Sequence, residues 1–297
     1  MIDNDEFTRQ LQDWIDQMEK SGKPAELDTI NRYVSEFMHA QNAIPRPGFN
    51  GFSSEQMHQM INRPLEAGCP VQLRQLTEEQ MAQIPVMRQA LHLMNALAEN
   101  EMKLTTQGYI PPKIVAELYE LGSHSWSTDW YKQKNEPKTE EVQVLRVVLK
   151  ECGLIKTRVG KMSLTAKGKQ LLVDHNELLR TMMLFLFMDY NTGWLDSCED
   201  DEVGNLGRLY SLWLLHHNGE NWRGTEFYAD EYRKAFPMLN VGYAYEYRIF
   251  NRLFRFVGLC EINEGDEFKG RNWGREARKT EVLDLMFAFE EPKSTNR

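Results

Sequence analysis

At 297 residues, with 41% hydrophobic and 27% charged side chains, the chain reads as a globular sequence long enough for two domains and an N-terminal extension. Its net charge of −9 excludes a global attraction to nucleic acid, so any phosphate binding has to come from a local basic patch. The longest apolar run, Met182 to Met188, is far shorter than the roughly 20 residues of a membrane span, so no membrane partner is expected.

The acidic start, Met1-Ile2-Asp3-Asn4-Asp5-Glu6, has no apolar core and does not read as a signal peptide, which points to the cytoplasm. Residues 1–80 read as an N-terminal helical region. Phe7, Leu11, Trp14, Ile15 and Met18 recur at helical spacing, as do Ile30, Tyr33, Val34, Phe37 and Met38. Pro45, Pro47, Gly48 and Gly51 mark a loop. Ser53 with Gln56, and Thr77 with Gln80, fit capping boxes, and Pro70-Val71-Gln72-Leu73 fits a short strand.

Residues 81–180 read as a first winged-helix domain. Val86 to Glu99 is an amphipathic helix, Met102 to Thr105 a strand, and Pro111-Pro112 opens a second helix that Gly122 ends. A third helix, with Val142, Leu145, Val148, Leu149 and Cys152 toward the core, stops at Gly153-Leu154 and runs into a hairpin ending at Thr165. Residues 181–297 repeat the plan as a second winged-helix-like domain, with a helix from Leu206 to His216, one begun near Thr225, and a third from Tyr245 to Val257. Gly258-Leu259 then stops the helix before a longer hairpin that reaches Thr280. Aligning Gly153 with Gly258 pairs Leu145 with Phe250, Val148 with Leu253 and Leu149 with Phe254, all core positions. The expected fold class is therefore mainly α (α+β), as tandem winged-helix domains behind an N-terminal helical extension.

If the third helix of each copy reads DNA, its outward face carries the contacts. In the first copy that face holds Gln143, Arg146 and Lys150; in the second, Arg248, Asn251, Arg252 and Arg255. The bland alternative is a solvated helix face. The first hairpin adds Lys156, Arg158 and Lys161 within a locally basic stretch from Lys132 to Lys169. The second hairpin opens with Glu261, Glu264, Asp266 and Glu267, which oppose a phosphate backbone, so the two copies differ in function. The aromatic loop Ser123 to Tyr131, with Trp126 and Trp130, fits base stacking or, more simply, anchorage on the core, as do Trp213, Trp222 and Trp273.

Catalytic signals are poor. The histidines His39, His58, His92, His124, His175, His216 and His217 have no zinc spacing, and no phosphate loop, nucleophile elbow or dinucleotide fingerprint is present. Asp196, Glu199, Asp200, Asp201 and Glu202 form an acidic run without the pattern of a calcium loop, read as a solvated interdomain linker. Cys69, Cys152, Cys198 and Cys260 are too far apart for a metal site and read as buried free thiols.

The run Leu104-Thr105-Thr106-Gln107-Gly108-Tyr109-Ile110-Pro111-Pro112-Lys113-Ile114-Val115, followed by Val144-Leu145-Arg146, Gly153-Leu154 and Leu164-Thr165-Ala166-Lys167-Gly168, resembles a known group. It is similar to the C-terminal region of bacterial plasmid open-reading-frame-three-like and insertion-element passenger proteins, over about residues 88–172. The resemblance implies an association with mobile elements and supplies no catalytic residue. Two readings follow. One is a non-enzymatic regulator or accessory protein that binds double-stranded DNA without a cofactor or metal. The other is an interaction module whose winged helices pack against a protein partner.

Overall fold

The computed structural model describes residues 4–22, 26–123, 135–197, 202–263 and 275–292. The described residues up to 57, with residue 292, form one compact unit, and those between 58 and 291 form the other. The chain is mainly helical with small antiparallel sheets, an α+β composition. Among the described residues no helix is long and apolar enough to cross a membrane.

The first unit follows its periodicity. α1 (Asn4–Lys20) and α2 (Leu27–Asn42) stack Trp14 on Tyr33 with ring centroids 4.4 Å apart, and set Phe7 against Phe37 at 5.1 Å. α3 (Ser54–Asn62) starts at the expected capping box, where the Gln56 amide donates to the Ser53 hydroxyl and the Ser53 amide donates to the Gln56 side chain.

The second unit opens with β1 (Val71–Leu73) and α4 (Glu78–Met81), which begins at a complete capping box between Thr77 and Gln80. Then come α5 (Pro85–Glu99), β2 (Met102–Lys103), α6 (Pro112–Leu121), α7 (Glu140–Glu151), β3 (Ile155–Arg158) and β4 (Lys161–Leu164). The three strands form a sheet in the order β2-β4-β3. After α8 (Ala166–Leu171), capped by the Thr165 hydroxyl, and α9 (His175–Met188), the same succession returns. It runs α10 (Arg208–Asn218), β5 (Arg223–Gly224) and α11 (Thr225–Ala235). A composite helix follows, made of α12 (Tyr243–Glu246), a π-helical stretch Tyr247–Phe254 and α13 (Arg255–Val257). β6 (Cys260–Asn263) and β7 (Glu276–Lys279) complete a second sheet in the order β5-β7-β6. After α14 (Glu281–Met286), β8 (Phe287–Phe289) pairs antiparallel with β1 and closes the unit on its own start.

Both copies thus share element order and sheet topology, and they match bond for bond where the third helix stops. Gly153 and Gly258 sit at φ +71° and +96°, a left-handed conformation that carries no steric penalty without a Cβ. The Leu154 amide donates to Leu149 O at 2.9 Å and the Leu259 amide to Phe254 O at 2.8 Å. The Thr165 hydroxyl donates to Gly153 O and the Thr280 hydroxyl to Gly258 O, both at 2.6 Å. One difference is that Thr280 makes no side-chain cap to α14.

The core is continuous with these stops. Leu145, Val148, Leu149, Leu253 and Phe254 are fully buried and Phe250 nearly so, as the alignment of the two glycines requires. Cys69, Cys152 and Cys260 are buried free thiols, and burial pushes the Cys152 thiol up to about 12. Cys198 lies outside the described residues.

Candidate nucleic-acid interface

The outward face of α7 is largely engaged inside the protein. The buried Glu136 carboxylate accepts the Ile110 amide and both of its oxygens accept from one Arg146 nitrogen, at 2.9 and 3.0 Å. The same nitrogen donates to Gly108 O at 3.0 Å, and the Gln143 side chain donates to Glu136 O at 2.8 Å. Arg146 therefore closes the Gly108 turn onto the helix, and Gln143 holds the backbone of Glu136 beside it. That turn is tight because Gly108 takes φ +83° while the Tyr109 amide donates to the Thr105 hydroxyl and the Thr105 amide to Tyr109 O. Lys150 alone of this trio is exposed, with Glu151 as its neighbour at 3.1 Å.

In the second copy the expected outward face is inside. Arg248, Asn251 and Arg252 are each less than 5% exposed. Expectation and structure part because this stretch is buried on every side: the predicted core positions Phe250, Leu253 and Phe254 are enclosed as expected, and the Thr192–Asp196 turn covers the side that a helical period leaves outward. Arg248 grips Asp196 with two nitrogens, each at 3.0 Å, and donates to Val203 O at 2.8 Å. Arg252 donates to Thr192 O and to Asp196, both at 2.9 Å, and lies over the Tyr247 ring at 4.5 Å. Asp196 is thus the shared acceptor of two buried guanidinium groups, which corrects its reading as part of a solvated linker. Burial raises its carboxyl, but the hydrogen bonds and charge of Arg248 and Arg252 outweigh that and hold the pKa below the ordinary value. Across from Arg252 Nε, Glu140 Oε1 stands at 3.6 Å, too far for a hydrogen bond, and burial lifts the Glu140 carboxyl. Arg255 is half-buried.

The sheet of the first copy is different. Lys103 lies opposite Lys161, Arg158 opposite Lys161, and Lys156 opposite Ser163. Residues opposite or two apart on paired strands share a face, so Lys103, Lys156, Arg158 and Lys161 project from one side of the sheet. All four are exposed. Ile155, Met162 and Leu164 fill the other side, buried against the helices. No carboxylate lies on the cationic side of these strands. Glu101, just before β2, reaches Lys161 at 3.2 Å, but both side chains are more than half exposed and the pair is weak.

The second sheet reverses this pattern. By register, Glu261 takes the place of Lys156, Asn263 of Arg158, Glu276 of Lys161, Arg278 of Ser163 and Gly224 of Lys103. Arg278 binds Glu261 at 2.6 Å, which leaves Glu276 as a carboxylate in excess of the cation on that face. Glu264, Asp266, Glu267 and Trp273 lie outside the described residues, as do Lys132, Lys134, Trp126 and Trp130.

Sequence reasoning missed Lys103, because only the β2–β4 pairing brings it to the hairpin cations. It also missed Glu136, the buried partner that withdraws Arg146. The hairpin cations do not share a side with the α7 face. Thr157, between Lys156 and Arg158 and pointing oppositely, lines the same groove as Arg146 and Lys150. In comparisons with protein-family models, curated proteins and solved structures, nothing matches this chain.

Proposed function

We propose that the chain is a non-enzymatic, tandem winged-helix protein that binds nucleic acid through the first copy, as a regulator or accessory factor. Helix, strand, helix, helix and hairpin, with the last strand central in the sheet, support the winged-helix reading in both copies. The observation that carries the function is the four-cation sheet face of Lys103, Lys156, Arg158 and Lys161 in a chain of net charge −9. Like charges placed directly opposite destabilise a sheet. A polyanion relieves that repulsion, and phosphate contacts supply most of nonspecific affinity.

The role of each copy differs. The first presents the cations, while the second uses Arg248 and Arg252 to fix its own helix and the Thr192–Asp196 turn. Arg146 is taken up by Glu136 and the Gly108 turn and Gln143 by the Glu136 backbone, which leaves neither side chain for base readout from α7. Retention of mixed random-sequence duplexes in a mobility assay at low salt tests the reading. A complex that dissolves steeply as salt rises supports it. Absence of retention at high micromolar protein removes the nonspecific term and leaves the protein-partner reading in its place.

A further inference from the structure

A groove of about 490 Å³ lies beside α7, with Tyr109, Thr157 and Trp194 among its lining. Its volume is that of small-molecule sites, about 300–1,000 Å³. Two aromatic side chains stand open in it, Trp194 at 48% and Tyr109 at 37% exposure. Exposed aromatics of this size cost solvation free energy unless something covers them.

Both are held in place by buried charge. Trp194 sits in the 3-10 turn Thr192–Asp196, and Arg252 binds both ends of that turn, at Thr192 O and at the Asp196 carboxylate. Tyr109 follows Gly108, whose carbonyl accepts from Arg146, and precedes Ile110, whose amide donates to Glu136. Rigid placement of this kind lowers the entropy cost of binding. The ionic groups lining the groove balance, with Arg146 and Lys150 against Glu136 and Glu151. The groove therefore suits a flat, uncharged ring, while the cationic face suits phosphate. β3 separates the two. It is an edge strand, with Thr157 on the groove side and Lys156 and Arg158 on the cationic side.

We infer that the groove takes unpaired nucleobases, stacked on Trp194 and Tyr109, from a single strand that crosses the β3 edge and leaves its phosphates on Lys156 and Arg158. A duplex keeps its bases inside the stack and cannot use the groove. The inference rests on the proposed nucleic-acid binding and adds the form of nucleic acid to it.

Fluorescence anisotropy with a labelled oligo-dT single strand and a duplex of equal length, on the full chain at low salt, tests it. The expected result is a single-strand affinity about 10-fold above the duplex, the size of one base–aromatic stack. Trp194→Ala brings the single-strand value down to that of the duplex, Tyr109→Ala acts in the same direction, and Trp194→Phe retains most of the preference. The thermal midpoint of each variant confirms folding. Equal affinities in the wild type, or a preference that survives both alanine variants, overturn the inference while duplex binding still supports the proposed function. Failure to bind either probe overturns both.

Discussion

Lys103 on β2 and Lys161 on β4 stand directly opposite each other, with Arg158 facing Lys161 from the other neighbouring strand. Opposed like charges cost a sheet about 0.2–1 kcal/mol each, and Glu101 offsets only part of this at Lys161. Stability and binding therefore pull in opposite directions here. Lys103→Glu is expected to raise the unfolding free energy by about 0.5 kcal/mol, read as a slightly higher urea midpoint. The same variant lowers duplex affinity at low salt and makes the salt slope shallower by about 0.9, one phosphate contact. A variant that is both more stable and equally tight would remove Lys103 from the interface.

The two helix stops give a second test. A Cβ at Gly153 meets nothing within 4 Å, whereas at Gly258 it falls 2.6 Å from Pro85 Cδ at the head of α5. Gly153→Ala carries only the left-handed backbone penalty, about 1–2 kcal/mol. Gly258→Ala carries that and a clash between copies, for a total of about 2–4 kcal/mol. Denaturant unfolding of both variants measures the difference. Equal losses would mean that the second copy does not pack on α5 through Gly258.

Asp196 supplies the third. Asp196→Asn leaves Arg248 and Arg252 buried without their shared carboxylate and is expected to cost about 2–4 kcal/mol at neutral pH. The folded Asp196 pKa is depressed, so its contribution is present above the unfolded value and lost as pH falls through the folded one. Glu140 has the opposite sign. Its raised folded pKa favours the native state at low pH, and that contribution fades as pH rises through the folded value. Unfolding curves below about pH 4, the ordinary aspartate range, should show wild type and Asp196→Asn converging. A gap that stays constant down to pH 2 would contradict the assignment.

What the sequence made legible was local. Gly153 and Gly258, the Thr165 cap and the buried Leu149 and Phe254 follow from helix stops and apolar spacing, both written in neighbouring residues. The site was harder to read. A regular helical period leaves Arg252 on the outward face, but the Thr192–Asp196 turn covers that face and brings to Arg252 an Asp196 that sequence alone assigns to a linker. Arg146 looked available until the fold brought Glu136 to it, and Lys103 joined the hairpin cations only through strand pairing. The Asp196 and Lys103 contacts join segments far apart in the chain, to which residue spacing is blind, and Glu136 reaches Arg146 from the turn before α7, outside the helical period.

Charge reversal on the basic sheet face separates phosphate binding from every other role of these side chains. Wild type is measured against the triple variant Lys156→Glu, Arg158→Glu, Lys161→Glu on random-sequence duplex over a salt series. Four phosphate contacts predict a wild-type slope of log affinity against log salt of about −3 to −4, since each contributes about −0.9. The triple variant should keep its thermal midpoint, because exposed charges contribute about 0–1 kcal/mol each, and lose retention at every salt concentration. Wild-type and variant curves that coincide, or a wild type with no salt dependence, would contradict the account.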